Sequence, residues 1–155
     1  PEEYLPTFNC NPIEMHLHRI EGLDEEFLYF NDDMFPMKEC KPTDFFRNGK
    51  GVIRVSYHVL ALDMFKQICR NSTRAAREAL GLRPTFYFMR PQHICSPMFK
   101  SECEELYNKV EPAIRSSISR VRTGENLNQY LFLDYQYYQG KLCAYCRPLQ
   151  YPQVL

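Results

Sequence analysis

The chain has 155 residues, enough for one domain with a substantial buried core, and we expect residues 1–155 to form a single domain. Hydrophobic residues make up 45% and charged residues 25%, as in ordinary globular domains. Lys plus Arg and Asp plus Glu both number 19, so the formal net charge is zero. This balance argues against a nucleic-acid partner bound through a broad basic surface, but it allows a local basic pocket for a small anion. No stretch approaches the ~20 apolar residues that cross a bilayer, so we expect no membrane span.

The cysteines are scattered, without the spacing of a disulfide framework. They therefore predict reduced thiols and a cytoplasmic location. Cys143 and Cys146 form one CxxC pair, but no second pair and no nearby histidine completes a zinc site, so free thiols are the favoured interpretation. The seven positions are Cys10, Cys40, Cys69, Cys95, Cys103, Cys143 and Cys146.

A first helix is predicted from Asn11 to just before Gly22. Asn11 suits the N-cap, Pro12 the first helical position, and Glu14 the third, where its side chain can bond back to the cap. Glu14 and His18 are four residues apart and share a face. Apolar residues at helical spacing predict a buried stripe beside that face, formed by Ile13, Leu17 and Ile20.

A short apolar run at residues 27–30 predicts a strand buried on both faces. Asn31, Asp32 and Asp33 follow it directly. Open α/β sheets place ligands at the carboxyl ends of their strands, and paired carboxylates can hold a divalent cation. The alternative is a simple turn, which Asn and Asp also favour and which the spacing alone makes the better interpretation.

Further elements are predicted along the chain by hydrophobic periodicity. Residues 36–50 look like a loop, residues 52–59 a strand, residues 62–80 a helix that ends at Gly81, and residues 85–89 a short strand. In the C-terminal half we expect a helix from Ser96-Pro97 that stops at Pro112, a helix at about 125–139, and an irregular tail after Gly140. The predicted class is α/β, a partial sheet with flanking helices, mostly helical in the C-terminal half.

The polar residues near these elements each have an ordinary explanation. Glu14 can be a capping residue, and His16 and Arg19 a solvated face. His93, in a loop ahead of the predicted helix start, is an exposed histidine or a catalytic one beside free backbone amides. Arg74 alone is an ordinary surface residue. Arg120 and Arg122, just ahead of the last helix, could together clamp a diphosphate.

In combination these residues resemble the Stealth family, which comprises bacterial capsular polysaccharide phosphotransferases and the catalytic part of the animal lysosomal-enzyme GlcNAc-1-phosphotransferase. The resemblance lies in the ordered stretch at residues 5–14, 18–23 and 27–35, the last reading FLYFNDDMF. A second block consists of residues 71–74, His93 with Pro97, and Val121-Arg122 before a Tyr-rich segment. The chain would be a fragment or a reduced form of a Stealth-type domain.

The resemblance implies transfer of a hexose-1-phosphate from a nucleotide sugar to a glycan hydroxyl, in capsular or exopolysaccharide synthesis. It also implies Mg²⁺ or Mn²⁺ as cofactor, a nucleotide-sugar-binding sheet, and a position in the cytoplasm or peripherally at the inner membrane. UDP-GlcNAc is one candidate donor. The family's motifs assign catalytic roles to Glu14, Asp33, His93 and Arg122, and metal binding to Asp33 with Asp32.

The predicted substrate-binding residues are Asn9, His18, Arg19, Asn31, Asp32 and Arg74. Either His93 or Glu14 would accept the proton of the acceptor hydroxyl, and histidine is the better match to neutral pH. A covalent phosphohistidine would use the same His93. Two other functions stay open: a binding module without turnover, and a metal-dependent phosphohydrolase.

Overall fold

The structure, a computed structural model, describes residues 2–146 apart from the side chains of Glu3 and Cys146. Its mixed helices and strands confirm the predicted α/β class. Single 3₁₀ turns cover Glu2–Tyr4 and Leu17–Arg19. In chain order the elements are α1 (Asn11–Glu14), β1 (Glu26–Tyr29), α2 (Pro42–Phe45), β2 (Phe46–Arg47), β3 (Lys50–His58), α3 (Met64–Ala79), β4 (Phe88–Pro91), β5 (Ser96–Phe99), α4 (Lys100–Ser117), α5 (Tyr130–Tyr138) and β6 (Leu142–Cys146).

The strands form two sheets. In the larger one β3 pairs antiparallel with β2 and β4 and parallel with β6. In the smaller one β1 pairs antiparallel with β5 alone. Strand β1 is therefore half-buried, and Phe30 just beyond it is exposed, so the prediction of a strand buried on both faces is wrong. Asn31, Asp32 and Asp33 still follow the end of β1, but at the edge of a two-stranded antiparallel sheet.

The first helix is shorter than predicted, and it buries its polar face and not the predicted apolar stripe. Helix α1 has four residues, and a turn at Met15 and His16 follows it. Ile13 and Ile20, expected to be buried, are 63% and 52% exposed. The buried residues are instead largely polar: Asn11, Pro12, Glu14, Met15 and His18. Cys10, not Asn11, holds the N-cap position, and its side chain makes no capping hydrogen bond.

The middle of the chain matches its predictions more closely. Strand β3 and helix α3 lie within two residues of the expected bounds, and Asp63 caps α3 by accepting a hydrogen bond from the Lys66 backbone N–H at 2.8 Å. The expected loop at 36–50 contains α2 and β2. Asn48 and Gly49 both have positive φ angles (52° and 69°), as a tight turn between β2 and β3 requires.

The C-terminal half departs from prediction at three points. Residues 96–99, expected to start a helix, form β5, and α4 begins at Lys100. Pro112 does not end α4, because the helix bends at Val110 (φ −121°, ψ 18°) and continues to Ser117. Residues 142–146, expected to be irregular, form β6. The rest of the predicted tail lies outside the described residues.

The core lies between the larger sheet and helices α3, α4 and α5. Gly51 of β3 lies where strands meet: a Cβ there would be 2.7 Å from the Leu142 side chain of β6 and 3.0 Å from that of Pro97 in β5. Asp134 of α5 is fully buried and accepts from the Thr73 hydroxyl at 3.2 Å, and its burial holds the carboxyl pKa well above its usual range. Between residues 2 and 146 we find no helix with the length and apolar character to cross a membrane.

Candidate active site

A cleft of about 410 Å³ gathers most of the chemically interesting side chains. Its walls come from α1, the segment after β1, the β4–β5 loop, the first turns of α3, and residues 122–130. These segments are far apart in sequence, so the cleft exists only in the folded chain. Six predicted site residues line it: Glu14, Asn31, Asp32, Asp33, His93 and Arg122.

His93 lies at the mouth of the cleft between two residues of the triplet after β1. Its Nε2 is 3.2 Å from Asp33 Oδ1 and 3.0 Å from Asn31 Nδ2. One ring nitrogen cannot donate and accept at once: a protonated Nε2 donates to Asp33, and an unprotonated Nε2 accepts from the Asn31 amide. His93 therefore has a partner in either state, as a group that takes up and releases a proton needs.

The expected setting of His93 is wrong in one respect. It does not lie at a helix N-terminus, because residues 96–99 form β5 and α4 begins only at Lys100. Its neighbours are the side chains of Asn31 and Asp33 and not free helix amides. Any anion at His93 would therefore be bound by side chains.

Glu14 lies on the buried floor of the cleft. Its Oε1 accepts from the Tyr29 hydroxyl at 3.3 Å and its Oε2 from the Gln129 backbone N–H at 3.4 Å. Burial, reinforced by the negative charge of Glu14, raises the pKa of Tyr29, so this phenol stays a donor at neutral pH. Both carboxylate oxygens are thus engaged, and the carboxylate joins three segments of the chain.

The floor also contains three amide side chains that were not among the predicted site residues. Asn11, Asn128 and Gln129 are 3%, 5% and 4% exposed and line the cleft. Within the described part of the chain, Asn11 Nδ2 and Gln129 Oε1 have no hydrogen-bond partner. The available signal was the polar run at residues 124–129, directly ahead of an apolar helix, which a solvent-exposed loop explains equally well.

Arg122 reaches the cleft from the segment ahead of α5. Its Nη2 is 2.6 Å from Cys10 Sγ, and the side chain is exposed. Burial, with a contribution from Glu14, raises the pKa of the Cys10 thiol, which therefore stays uncharged at neutral pH. Because a neutral thiol leaves the charge of the guanidinium unpaired, Arg122 keeps its charge and most of its donors available for a phosphate.

Four predicted binding residues lie outside the cleft. Asn9 is buried and donates to Ser119 O at 3.1 Å and Asn126 Oδ1 at 3.0 Å, which ties the N-terminal segment to the segment ahead of α5. His18 packs against Tyr107, and the Arg19 guanidinium lies 4.6 Å from the centre of the same ring. Arg74 is exposed on α3. The structure gives the first three a packing role.

Asp32 and Asp33 are exposed carboxylates, and the described residues contain no group of three or more His, Cys, Asp or Glu arranged to hold a metal ion. A resident, fully protein-bound metal therefore does not fit. A Mg²⁺ shared with a bound diphosphate does fit, because this ion commonly uses one or two carboxylates and completes its shell with substrate oxygens and water. The Cys146 side chain, one half of the CxxC pair, lies outside the described residues.

Comparison with known proteins gives this arrangement its context. The model of Stealth protein conserved region 2 matches residues 1–53, which include Glu14 and the triplet after β1. A capsular polysaccharide phosphotransferase of Actinobacillus pleuropneumoniae is 34% identical over 148 residues, covering 90% of this chain and 40% of the relative. A receptor polysaccharide phosphotransferase of Streptococcus oralis is 30% identical over 171 residues, covering 90% of this chain and 51% of the relative.

A capsular polysaccharide phosphotransferase of Streptococcus thermophilus is 50% identical over 60 residues, 39% of this chain and 25% of the relative. The chain thus spans about half or less of the length of these relatives. The longer alignments nonetheless cover nine-tenths of it, and the region-specific match coincides with the segments that build half of the cleft. These similarities support assignment of the chain to the Stealth family.

Proposed function

We propose that this cleft transfers a hexose-1-phosphate from a nucleotide sugar to a glycan hydroxyl, in capsular or exopolysaccharide synthesis. The observation that carries the proposal is the convergence of Glu14, Asp33, His93 and Arg122 on one cleft from four distant segments. The relatives are named polysaccharide phosphotransferases, which supports the same reaction class. UDP-GlcNAc is the first donor to test, and a cytoplasmic or peripheral inner-membrane location is part of the proposal.

In the proposed reaction the acceptor oxygen attacks the phosphorus that bears the hexose. The bond from that phosphorus to the nucleoside monophosphate breaks, and its electron pair leaves with the nucleotide. His93 Nε2 accepts the proton of the acceptor hydroxyl, and Asp33, 3.2 Å away, stabilises the imidazolium that results. Glu14 is less suited to take this proton, because it is buried on the floor, whereas His93 lies exposed at the mouth of the cleft, where an acceptor hydroxyl can reach it.

The remaining task is to neutralise the charge on the phosphate oxygens, the main term in phosphoryl transfer. Arg122 can do this with donors that its thiol neighbour does not use. Asp33, with Asp32, would hold Mg²⁺ or Mn²⁺ against the diphosphate, and the ion would supply further positive charge there. The buried amides of the floor can hold the hexose through its hydroxyls.

The test is to incubate the intact protein with UDP-GlcNAc, Mg²⁺ and candidate glycan acceptors and to follow the reaction by phosphorus NMR. A new phosphodiester signal supports transfer. Release of sugar phosphate without acceptor dependence would indicate a phosphohydrolase, and shifted signals without turnover a binding module. Omission of Mg²⁺ and Mn²⁺, with a chelator added, should abolish the transfer.

Phosphorus stereochemistry distinguishes the two possible roles of His93. A donor made chiral at the transferred phosphorus by sulfur substitution should give a product of inverted configuration if the acceptor attacks directly. Retention would indicate two successive displacements through phosphohistidine. The His93→Ala variant is the control, since it should give neither product.

A further inference from the structure

Away from the cleft, helix α3 carries two exposed arginines between two grooves. Arg70 and Arg74, which we call the arginine ridge, line both grooves. The smaller groove, about 160 Å³, has aromatic residues on its far side, with Phe86 80% and Tyr87 37% exposed. The larger groove, about 610 Å³, extends from the ridge to α4 and to the segment ahead of α5.

The charge on this face of α3 is not balanced within the fold. Lys66 pairs with Asp63 at 3.1 Å, and Arg77 donates to the Arg83 carbonyl and lies over the Tyr138 ring. Arg70 has no ion pair among the described residues. Arg74 faces Glu78 at 4.0 Å, with both side chains more than two-thirds exposed, which makes this a weak pair in water. Like charges four residues apart also disfavour the helix slightly. Glu78 lines both grooves and Glu125 lines the larger one, so the excess of positive charge lies at the smaller groove, where Arg70, Arg74 and Arg77 face a single carboxylate.

The larger groove and the cleft are built from the same two elements, α3 and the segment ahead of α5. In the segment ahead of α5, Arg122 and Asn128 line the cleft, while Gly124 and Leu127 line the groove. On α3, likewise, Phe65 and Ile68 line the cleft, while Gln67 and Arg70 line the groove. The Asn71 side chain joins the two elements by donating to Gly124 O at 2.9 Å. The cleft and the larger groove are thus lined by different residues of the same two elements, which the Asn71–Gly124 hydrogen bond holds together.

We propose that the arginine ridge and its two grooves bind the acceptor glycan through its phosphodiester groups. The inference rests on the proposed function: every transfer creates a phosphodiester that keeps one negative charge, so a glycan built by repeated transfer is a polyanion. The planar guanidinium of arginine matches phosphate oxygens two at a time. Phe86 and Tyr87, beside the ridge, offer ring faces for the apolar sides of the sugars between phosphates. The ridge thus favours an acceptor that already carries phosphate.

The test measures binding and not turnover, so it does not depend on the reaction. A fluorescein-labelled poly(glycerol phosphate) oligomer is the probe, dextran of similar length the neutral comparator, and fluorescence anisotropy the readout. We expect the probe and not the dextran to bind. The Arg70→Gln/Arg74→Gln double variant should weaken probe binding about tenfold, as expected for two exposed ion pairs, and the Lys double variant should recover part of the loss. Glutamine retains helix propensity, so the fold should persist, as circular dichroism can check.

The matched control is Arg54→Gln, an exposed arginine of β3 that lines neither groove, and it should bind the probe like the wild type. Full binding by the Arg70/Arg74 double variant, or an equal loss in Arg54→Gln, would overturn the proposal. So would failure of the wild type to bind the probe, or equally tight binding of single-stranded DNA with as many phosphates. His93→Ala should lose transfer and keep probe binding. A wild type that binds the probe and transfers nothing would refute the proposed function while leaving the ridge in place.

Discussion

The cleft has two parts that differ in almost every physical respect. The rim consists of Asn31, Asp33, His93 and Arg122, which are exposed apart from a half-buried Asn31. The floor consists of Asn11, Glu14, Asn128 and Gln129, each less than a tenth exposed. At the exposed rim His93 contacts Asn31 and Asp33, whereas Glu14 accepts hydrogen bonds from Tyr29 and Gln129 on the buried floor. The difference suggests that the rim carries the chemistry and the floor sets the shape that a substrate meets.

Free energies of burial make this division testable. Removing one partner of a buried hydrogen bond leaves an unsatisfied group that costs about 1–3 kcal/mol, whereas exposed pairs contribute about 0–1 kcal/mol. Rim substitutions should therefore change turnover while stability stays constant. Floor substitutions should first lower the free energy of unfolding.

The largest expected effect is on turnover in His93→Ala. Loss of the proton acceptor should lower kcat by about 10²- to 10⁴-fold in the phosphorus NMR assay. The melting temperature should stay within a degree or so of the wild type, because an exposed histidine contributes little to stability. His58→Ala, on β3 and outside the cleft, is the control. A normal kcat in His93→Ala would contradict the role of the rim residue His93 as proton acceptor.

Arg122→Gln should lower kcat/KM by about 100-fold, since one charge-assisted contact to the phosphate is worth up to ~3 kcal/mol. Arg122→Lys should restore only part of it, because an ammonium lacks the planar pair of donors. Steady-state kinetics with the same donor and acceptor measure both. Equal activity of the Lys and Arg forms would mean that only charge matters at this position.

On the floor, Glu14→Gln should lower the free energy of unfolding by about 1–2 kcal/mol, because an amide cannot accept both hydrogen bonds that the carboxylate accepts. If its NH₂ faces Tyr29, the half-buried hydroxyl becomes an acceptor and its own O–H loses its partner; if it faces Gln129, it meets a backbone N–H. Urea denaturation followed by circular dichroism measures the change. Glu26→Gln, an exposed carboxyl at the start of β1, is the matched control and should change stability by less than about 0.5 kcal/mol. Unchanged stability in Glu14→Gln would contradict the prediction that floor residues stabilise the fold more than rim residues do.

The last expected effect depends on pH and concerns His18, a buried residue next to Tyr107. Burial, with the nearby charge of Arg19, lowers its pKa from 6.5 to about 4. Between those two values the unfolded chain binds a proton that the folded chain does not, so this residue makes stability fall as pH drops from 6.5 towards 4. His18→Phe removes that dependence.

The buried Asp134 has the opposite effect, because its raised pKa makes stability fall as pH rises above the usual range of a carboxyl. The measurement is therefore the difference between wild type and His18→Phe in urea unfolding at several pH values. The wild type should lose up to about 1.4 kcal/mol per pH unit more than the variant across this window. Parallel curves would mean that His18 is protonated equally in both states.

The sequence predicted the rim far better than the floor. Asn31, Asp33, His93 and Arg122 belong to motifs that the Stealth resemblance picks out, and the structure brings them to one cleft. Of the floor only Glu14 was predicted, because the floor forms where residues 9–14 meet residues 126–129, more than a hundred residues away. An exposed loop and a buried polar segment have similar amino-acid compositions, so local composition does not distinguish them.

The errors in the fold have the same cause. Periodicity predicted that the Ile13 stripe is buried. Instead Asn9 donates to Asn126 and Glu14 accepts from the Gln129 N–H, and these hydrogen bonds to the segment ahead of α5 accompany burial of the polar face of the short helix. Strand β5 has only four residues, which is too short for the alternating hydrophobic pattern of a strand to be recognised. Strand β6 exists because it pairs in parallel with β3 across some ninety intervening residues, a partner that local sequence does not reveal.

Gly51 does not line the cleft, but it affects the position of the rim residues. Because Gly51 has no side chain, β3 can approach β6 and Pro97 of β5 closely. Pro97 is paired with Leu28 of β1, the strand that leads to the Asn31 triplet. A methyl group at position 51 would have to push Leu142 or Pro97 aside, and a shift of Pro97 would pass through β1 to Asp33. The position of the rim thus depends on the absence of a side chain at Gly51 in another strand. We therefore expect catalysis to depend on Gly51, although no substrate contacts it.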